Sequence, residues 1–203
     1  NRSYIKDALR EKGYMPESGE LGETVTAVRD ALSHKFPGPM KVMKWIETEV
    51  SKAIKRGATH LEWVTPSGFV VSQRIFKQEY ERITLKVLGQ CNMRVGTGDS
   101  DKVDKARHKA ATAPNLIHSL DASLLCLATL KFNNPIALIH DSVLCRATDM
   151  TELSRIVRET YMHLFAEHDY LTDFAHQIGA ETEPPIIGDL QPESVIESTY
   201  FFC

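Results

Sequence analysis

Ile136-Ala137-Leu138-Ile139-His140-Asp141-Ser142-Val143-Leu144-Cys145 sets two short apolar runs on either side of a charged pair. Apolar runs of this length, bounded by a turn, read as buried strands, and a tight link between them makes a hairpin. Hairpin links ordinarily use Gly or Asn, whose backbones accept the positive φ of a tight turn. A His-Asp pair in that place puts a carboxylate at the tip, on strands stiff enough to hold it. A fixed, exposed carboxylate suits Mg²⁺, which takes one or two protein carboxylates and keeps several waters. The same side chain can also do no more than hydrogen-bond its own turn.

Upstream lies Ala113-Pro114-Asn115-Leu116-Ile117-His118-Ser119-Leu120-Asp121-Ala122-Ser123. On a helix, Asn115, His118 and Asp121 fall on one face. Leu116, Leu120, Leu124 and Leu127 fall opposite. Such a polar stripe can line a ligand. It can equally be a helix start with capping residues and a solvated face.

Around these two segments the pattern is α+β, with a mostly helical first region followed by a β-hairpin packed with helices. Helical periodicity covers residues 4–12, ended by Gly13, and residues 24–34, with a loop up to Gly22 between them. Phe36-Pro37-Gly38-Pro39 stops the second helix, and Pro39 can open the next as its first residue. That helix runs to Lys55 with Val42, Met43, Ile46, Val50 and Ile54 on one stripe, and Gly57 caps it. Period-two runs at 60–64 and 69–71 flank Thr65-Pro66-Ser67-Gly68, a hairpin turn. Residues 82–88 read as a further strand and 96–101 as a flexible loop and subdomain seam. Helical segments follow at 102–109, 114–130 and 152–168, around Phe174, and at 193–197. Trp45 and Trp63 read as core.

Composition narrows the function classes. A chain of 203 residues with 42% apolar and 25% charged residues is a globular protein of one or two domains. A net charge of −3 gives no global attraction to nucleic acid. A local basic cluster, Lys102, Lys105, Arg107, His108 and Lys109, suits phosphate contacts. Asp99, Asp101 and Asp104 interleave with it and allow the charges to pair among themselves. No apolar run is long enough for a transmembrane helix. Asn1-Arg2-Ser3-Tyr4 has no Met and no apolar core of a signal peptide, and carries the expectation that the chain is part of something longer. Cys91, Cys126, Cys145 and Cys203 have no C-x-x-C spacing, so free thiols are expected rather than a zinc site.

Together and in this order, "APNLIHSLDAS" and "ALIHDS" resemble the single-subunit, bacteriophage-type DNA-directed RNA polymerases, which also work in mitochondria and plastids. Glu62 to Gly68 is similar to the family's "HWVTP-x-G", Val87-Leu88-Gly89-Gln90 to its "FLGQ", and Tyr200-Phe201-Phe202-Cys203 to its aromatic tail. The resemblance implies that residues 1–117 are the back of the fingers and 118–203 the C-terminal half of the palm. It implies that Asp141 is a catalytic Mg²⁺ ligand, that His140 and Ser142 shape the hairpin tip, and that His118 lies by the nascent RNA–template pair. Asn115, Ser119, Lys105, Arg107 and Lys109 are implied nucleic-acid contacts, and Phe202 with Cys203 a tail returning to the active site. The implied partners are template DNA, nascent RNA, NTPs and an upstream polymerase portion carrying motifs A and B. Neither motif is matched here: Tyr4 and Lys6 do not reproduce motif B, and Leu124 stands where many members have a second His. The chain alone is therefore expected to be inactive. The implied setting is the cytoplasm of a phage-infected cell, or else a mitochondrion.

Repair-type DNA polymerases carry a His-Asp hairpin usually followed by Glu, whereas Ser142 follows here. A His-Asp metal phosphohydrolase needs more ligands, and His163 and His168 lie roughly 140° apart around a helix. A non-catalytic split subunit, or a nucleic-acid-binding piece that works only with its other half, is the remaining alternative.

Overall fold

Proline, glycine and capping carboxylates decide where the helices begin and end. The computed structural model describes residues 2–85, 91–186 and 188–201. Val87 to Gln90, Phe202 and Cys203 therefore lie outside the described residues. Within them the fold is α+β, with six α-helices and three two-stranded antiparallel sheets. Residues Asn1–Lys44 with Pro185–Gly188 form one compact unit, and Trp45–Pro184 with Asp189–Cys203 the other.

In the first unit, α1 (Arg2–Glu11) ends where Gly13 takes φ 79. There the N–H groups of Gly13 and Tyr14 close on the carbonyls of Arg10 and Leu9, a Schellman ending that needs a left-handed residue. The stretch expected as a loop up to Gly22 is partly helix, because α2 (Ser18–Lys35) starts early. The Glu20 carboxylate accepts from the Glu17 N–H at 2.9 Å, satisfying an orphan donor at the helix start. Val28 and Leu32 on α2 remain 40% and 46% exposed, so its apolar stripe is uncovered within the described residues. The next helix, α3 (Pro37–Lys55), opens on Pro37 rather than Pro39. Both prolines sit in the first turn, where no N–H has a helical partner to lose.

In the second unit the inner face of α3 is Ile46, Glu49, Val50 and Ala53; Met43, on the part of the helix in the first unit, is exposed. The helix ends on Gly57 at φ 101, with Gly57 and Ala58 N–H groups on the Ile54 and Ala53 carbonyls. Glu49 has no exposed side-chain surface, yet it is fully partnered. It accepts from Lys52 Nζ at 2.8 Å, the Glu181 N–H at 2.7 Å and the Thr182 hydroxyl at 2.8 Å. Burial alone would raise its pKa, but these donors outweigh burial and hold it below the ordinary value. Glu49→Ala orphans three donors at once and is expected to cost about 3 kcal/mol, read as a lowered denaturant midpoint. Because the folded pKa is depressed, this stabilisation is present above the ordinary carboxylate range and fades as pH falls through the folded value. A midpoint difference between wild type and variant that does not shrink in acid would contradict the assignment.

The strands β1 (Leu61–Val64) and β2 (Val70–Gln73) pair around the predicted turn, with Gly68 at φ 81. A longer hairpin follows, β3 (Phe76–Leu85) with β4 (Cys91–Val103). The flexible loop expected at 96–101 is instead strand. Glu79 pairs with Gly98 and Tyr80 with Gly96, leaving Thr97 as the extra residue of a bulge, and Gly98 supplies its φ of 146. Glycine here bends a ladder rather than ending it.

The segments expected at 102–109 and 114–130 are one helix, α4 (Lys105–Lys131), preceded by strand up to Val103. Asp104 caps it by accepting from the Arg107 N–H at 3.0 Å. Pro114 forfeits one helical bond. Burial of Ala113, Leu116, Leu120, Leu125 and Ala128 along the same helix outweighs that loss. The hairpin β5 (Ile136–Ile139) and β6 (Ser142–Cys145) packs against a cluster of Ala128, Phe132, Leu153, Ile156 and Val157, joined by Phe201. Leu153, Ile156 and Val157 belong to α5 (Met150–Ala166), and α6 (Tyr170–Gln177) buries Phe174 edge-on against Trp63. Arg158 clamps the tail by donating to the Val195 and Ser198 carbonyls. Cys126 and Cys145 are free thiols.

Candidate active site at the hairpin tip

The ladder of β5 and β6 closes at the pair Ile139 and Ser142, so His140 and Asp141 alone make the turn. His140 has φ 56, the one positive φ among the described non-glycine residues. A positive φ at the first central position, where Gly is the easy choice, costs an L-residue roughly 1–3 kcal/mol. The hairpin sustains it because Ile136, Val143 and Cys145 are packed on the α4–α5 core. The result is a carboxylate carried on an over-determined tip.

That tip faces the polar stripe of α4. His118, Asp121, Ala122, Leu125, His140 and Asp141 line one open cavity of about 470 Å³. Asp121 and Asp141 also border an adjoining cavity of about 390 Å³, walled by Leu124, Val143, Leu153 and Phe201. Burial pushes the Asp121 carboxyl above its ordinary pKa; His118 opposes this and the charge of Asp141 adds to it. The two segments read separately in the sequence thus meet in space. Asp121 stands on the stripe but was given no role in the site; its three-residue step from His118 was the available signal.

The other candidates are dispersed. The Ser119 hydroxyl accepts from Trp63 Nε1 at 3.1 Å and donates to the Leu116 carbonyl at 2.7 Å, which ties β1 to α4. The Asn115 and Gln73 amides are bonded at 2.8 Å. Lys105 and Lys109 border a separate cleft of about 530 Å³ with Lys77, Glu47 and Asp104, and Lys109 lies 4.0 Å from Glu47. Arg107 is exposed. His108 does not belong to the basic cluster: it is fully buried, and burial lowers its pKa so that it stays neutral. Position 108 falls on the inner face of α4, which the charge pattern around it masks.

Asp141 offers hard oxygen donors, and Asp121 stands on the same cavity. Among the described residues no three His, Cys, Asp or Glu side chains gather as a ligand set. Mg²⁺ takes one or two carboxylates and completes its shell with water and substrate phosphates, so these residues fit it as part of a site. No described helix is long and apolar enough to cross a membrane.

A family model of DNA-dependent RNA polymerase matches residues 1–186. The chain belongs to that family, in its single-subunit, phage-type branch. It is 31% identical over 204 residues to the DNA-directed RNA polymerase of Pseudomonas phage phiKMV, covering 94% of this chain and 25% of that protein. The DNA-directed RNA polymerase of Enterobacteria phage K11 is 29% identical, covering 89% of this chain and 22% of its own length. The chloroplastic DNA-directed RNA polymerase 3 of Nicotiana sylvestris is 30% identical, covering 99% and 21%. The chain thus spans about a quarter or less of the length of these relatives.

Proposed function

We propose that this chain is the C-terminal portion of a phage-type RNA polymerase and supplies one catalytic carboxylate, Asp141, to template-directed nucleotidyl transfer. Residues 1–117 act as the back of the fingers and 118–203 as the C-terminal half of the palm, with α4 continuous across that boundary. The observation that carries this reading is the single cavity shared by His118, Asp121, His140 and Asp141 in a chain of this family. In the reaction the RNA 3′ oxygen bonds to the α-phosphorus of an NTP, and pyrophosphate leaves. Mg²⁺ held by Asp141 supplies charge neutralisation at the reacting oxygens when bound.

The remaining steps belong to the chain. His140 sets the turn that aims Asp141. His118, exposed on α4, hydrogen-bonds the end of the RNA–template pair. Ser119 acts indirectly, by pinning α4 to Trp63 and β1. Lys105, Arg107 and Lys109 contact phosphates, and Phe201 borders the adjoining cavity. DNA template, nascent RNA, NTPs and an upstream portion with motifs A and B are the partners. The setting is the cytoplasm of an infected host, with an organelle as the alternative that the Nicotiana relatives support.

A primed-template assay with NTPs and Mg²⁺ tests the proposal. The chain alone is expected to incorporate nothing, because one side of the metal site is missing. Mixing it with the separately purified upstream portion is expected to restore incorporation. Incorporation by the chain alone would refute the dependence. A stable mixture that stays inactive would favour the non-catalytic subunit.

A further inference from the structure

The buried contacts between β2 and α4 contain a proton-counting problem. The Ile75 N–H points at His108 Nε2 at 3.2 Å, so that nitrogen must accept. Gln73 Nε2 is placed 3.0 Å from His108 Nδ1 and 2.9 Å from Thr112 Oγ1, with Asn115 Nδ2 placed 2.8 Å from Gln73 Oε1. Read that way, both ring nitrogens accept. A neutral imidazole carries one N–H and cannot do this. A protonated ring is worse, since it would aim Nε2–H at the Ile75 N–H, and the ring is fully buried.

One exchange resolves the conflict at both ring nitrogens. Amide oxygen and nitrogen exchange places by a half-turn that leaves the side-chain shape unchanged. With Gln73 turned, His108 Nδ1–H donates to Gln73 Oε1, and the Thr112 hydroxyl, placed to donate to the His108 carbonyl at 2.7 Å, turns to that oxygen instead. Gln73 Nε2–H then donates to Asn115, which must present its oxygen inward. We infer that His108 is a positioning residue: its Nδ1–H tautomer, set by the Ile75 N–H, orders the Gln73 and Asn115 amides so that Asn115 turns its NH₂ outward. No other described residue bonds the outer end of the Asn115 amide. It lies one helical turn before His118 on the polar stripe of α4.

Asn115 thereby becomes a donor-only contact. It fits groups that only accept: phosphate oxygens, or the minor-groove N3 and O2 atoms that every base pair offers. Such a contact holds nucleic acid without reading its sequence. The ligand, though not the relay, rests on the nucleic-acid reading proposed above.

Long-range ¹H–¹⁵N correlation on the whole histidine-labelled chain reads the tautomer directly, with His108→Gln assigning the ring by loss of its signals. Nδ1–H is expected, and Nε2–H overturns the relay. The Asn115 side-chain amide hydrogens are expected to exchange with water faster than those of Gln73; the reverse order also overturns it. His108→Gln can accept from Ile75 and donate to Gln73, so it should preserve that exchange order, whereas His108→Leu should erase it. For the ligand, Asn115→Ala should weaken binding of a fluorescent RNA–DNA hybrid about fivefold, the loss of one hydrogen bond. His108→Gln should leave that binding unchanged. Unaltered binding by Asn115→Ala, with the Nδ1–H tautomer present, overturns nucleic acid as the partner of the donor and leaves the relay standing.

Discussion

Asp141→Asn in the full polymerase is expected to slow nucleotide addition by about 10²–10³-fold or more, the scale seen when a fixed electrostatic partner of the transition state is removed. The substitution keeps the shape of the side chain and removes its formal charge, so the turn at His140 and the β5–β6 ladder should survive. Stability is a useful control. Asp141 shares its cavity with Asp121, and removing one of two like charges relieves repulsion. The variant should therefore melt at or above the wild-type temperature while losing elongation on a preassembled RNA–DNA scaffold. Scaffold affinity should change little, since phosphate contacts elsewhere supply most of it. Near-normal elongation would remove Asp141 from the metal site.

How much of this was legible in the sequence differs between elements for physical reasons. The hairpin at 136–145 was visible because two apolar runs bracket a link too short for anything but a turn. The left-handed backbone of His140 was not, since propensity assigns that conformation to Gly or Asn. Residues 96–101 read as a loop because glycine and aspartate disfavour strands on average. In the structure the long partner β3 supplies the ladder, and the glycines serve a bulge. The merging of two helical segments into α4 needed tertiary burial to override Pro114. His108 misled because periodicity around it is weak: charged residues surround a position that the helix turns fully inward. The convergence of Asp121 with Asp141 is a tertiary fact, to which sequence spacing contributed only the stripe on α4.

Amide hydrogen exchange on the isolated chain should be fast in the β5–β6 hairpin relative to α4 and α5, although the hairpin carries the proposed site. Two strands make the whole of that sheet among the described residues, so each has an open edge. The register puts Ile136, Leu138, Val143 and Cys145 on one face and Ala137, Ile139 and Leu144 on the other. The first face meets the α4–α5 core, but Ile139 and Leu144 remain 60% and 63% exposed. Apolar residues on both faces are the mark of a strand built to be covered twice. A two-stranded ribbon with open edges is marginal in water and prone to pair with another chain. Adding the upstream polymerase portion should therefore slow exchange at 136–145 by orders of magnitude, and without it the chain should self-associate as concentration rises. Helices 2–35 should exchange quickly in both states, because only Leu21 is buried among their described side chains. A monomer whose 136–145 amides are as slow as those of α4 would mean that the hairpin needs no further strand, and the upstream portion would then have to meet this chain elsewhere than at its sheet.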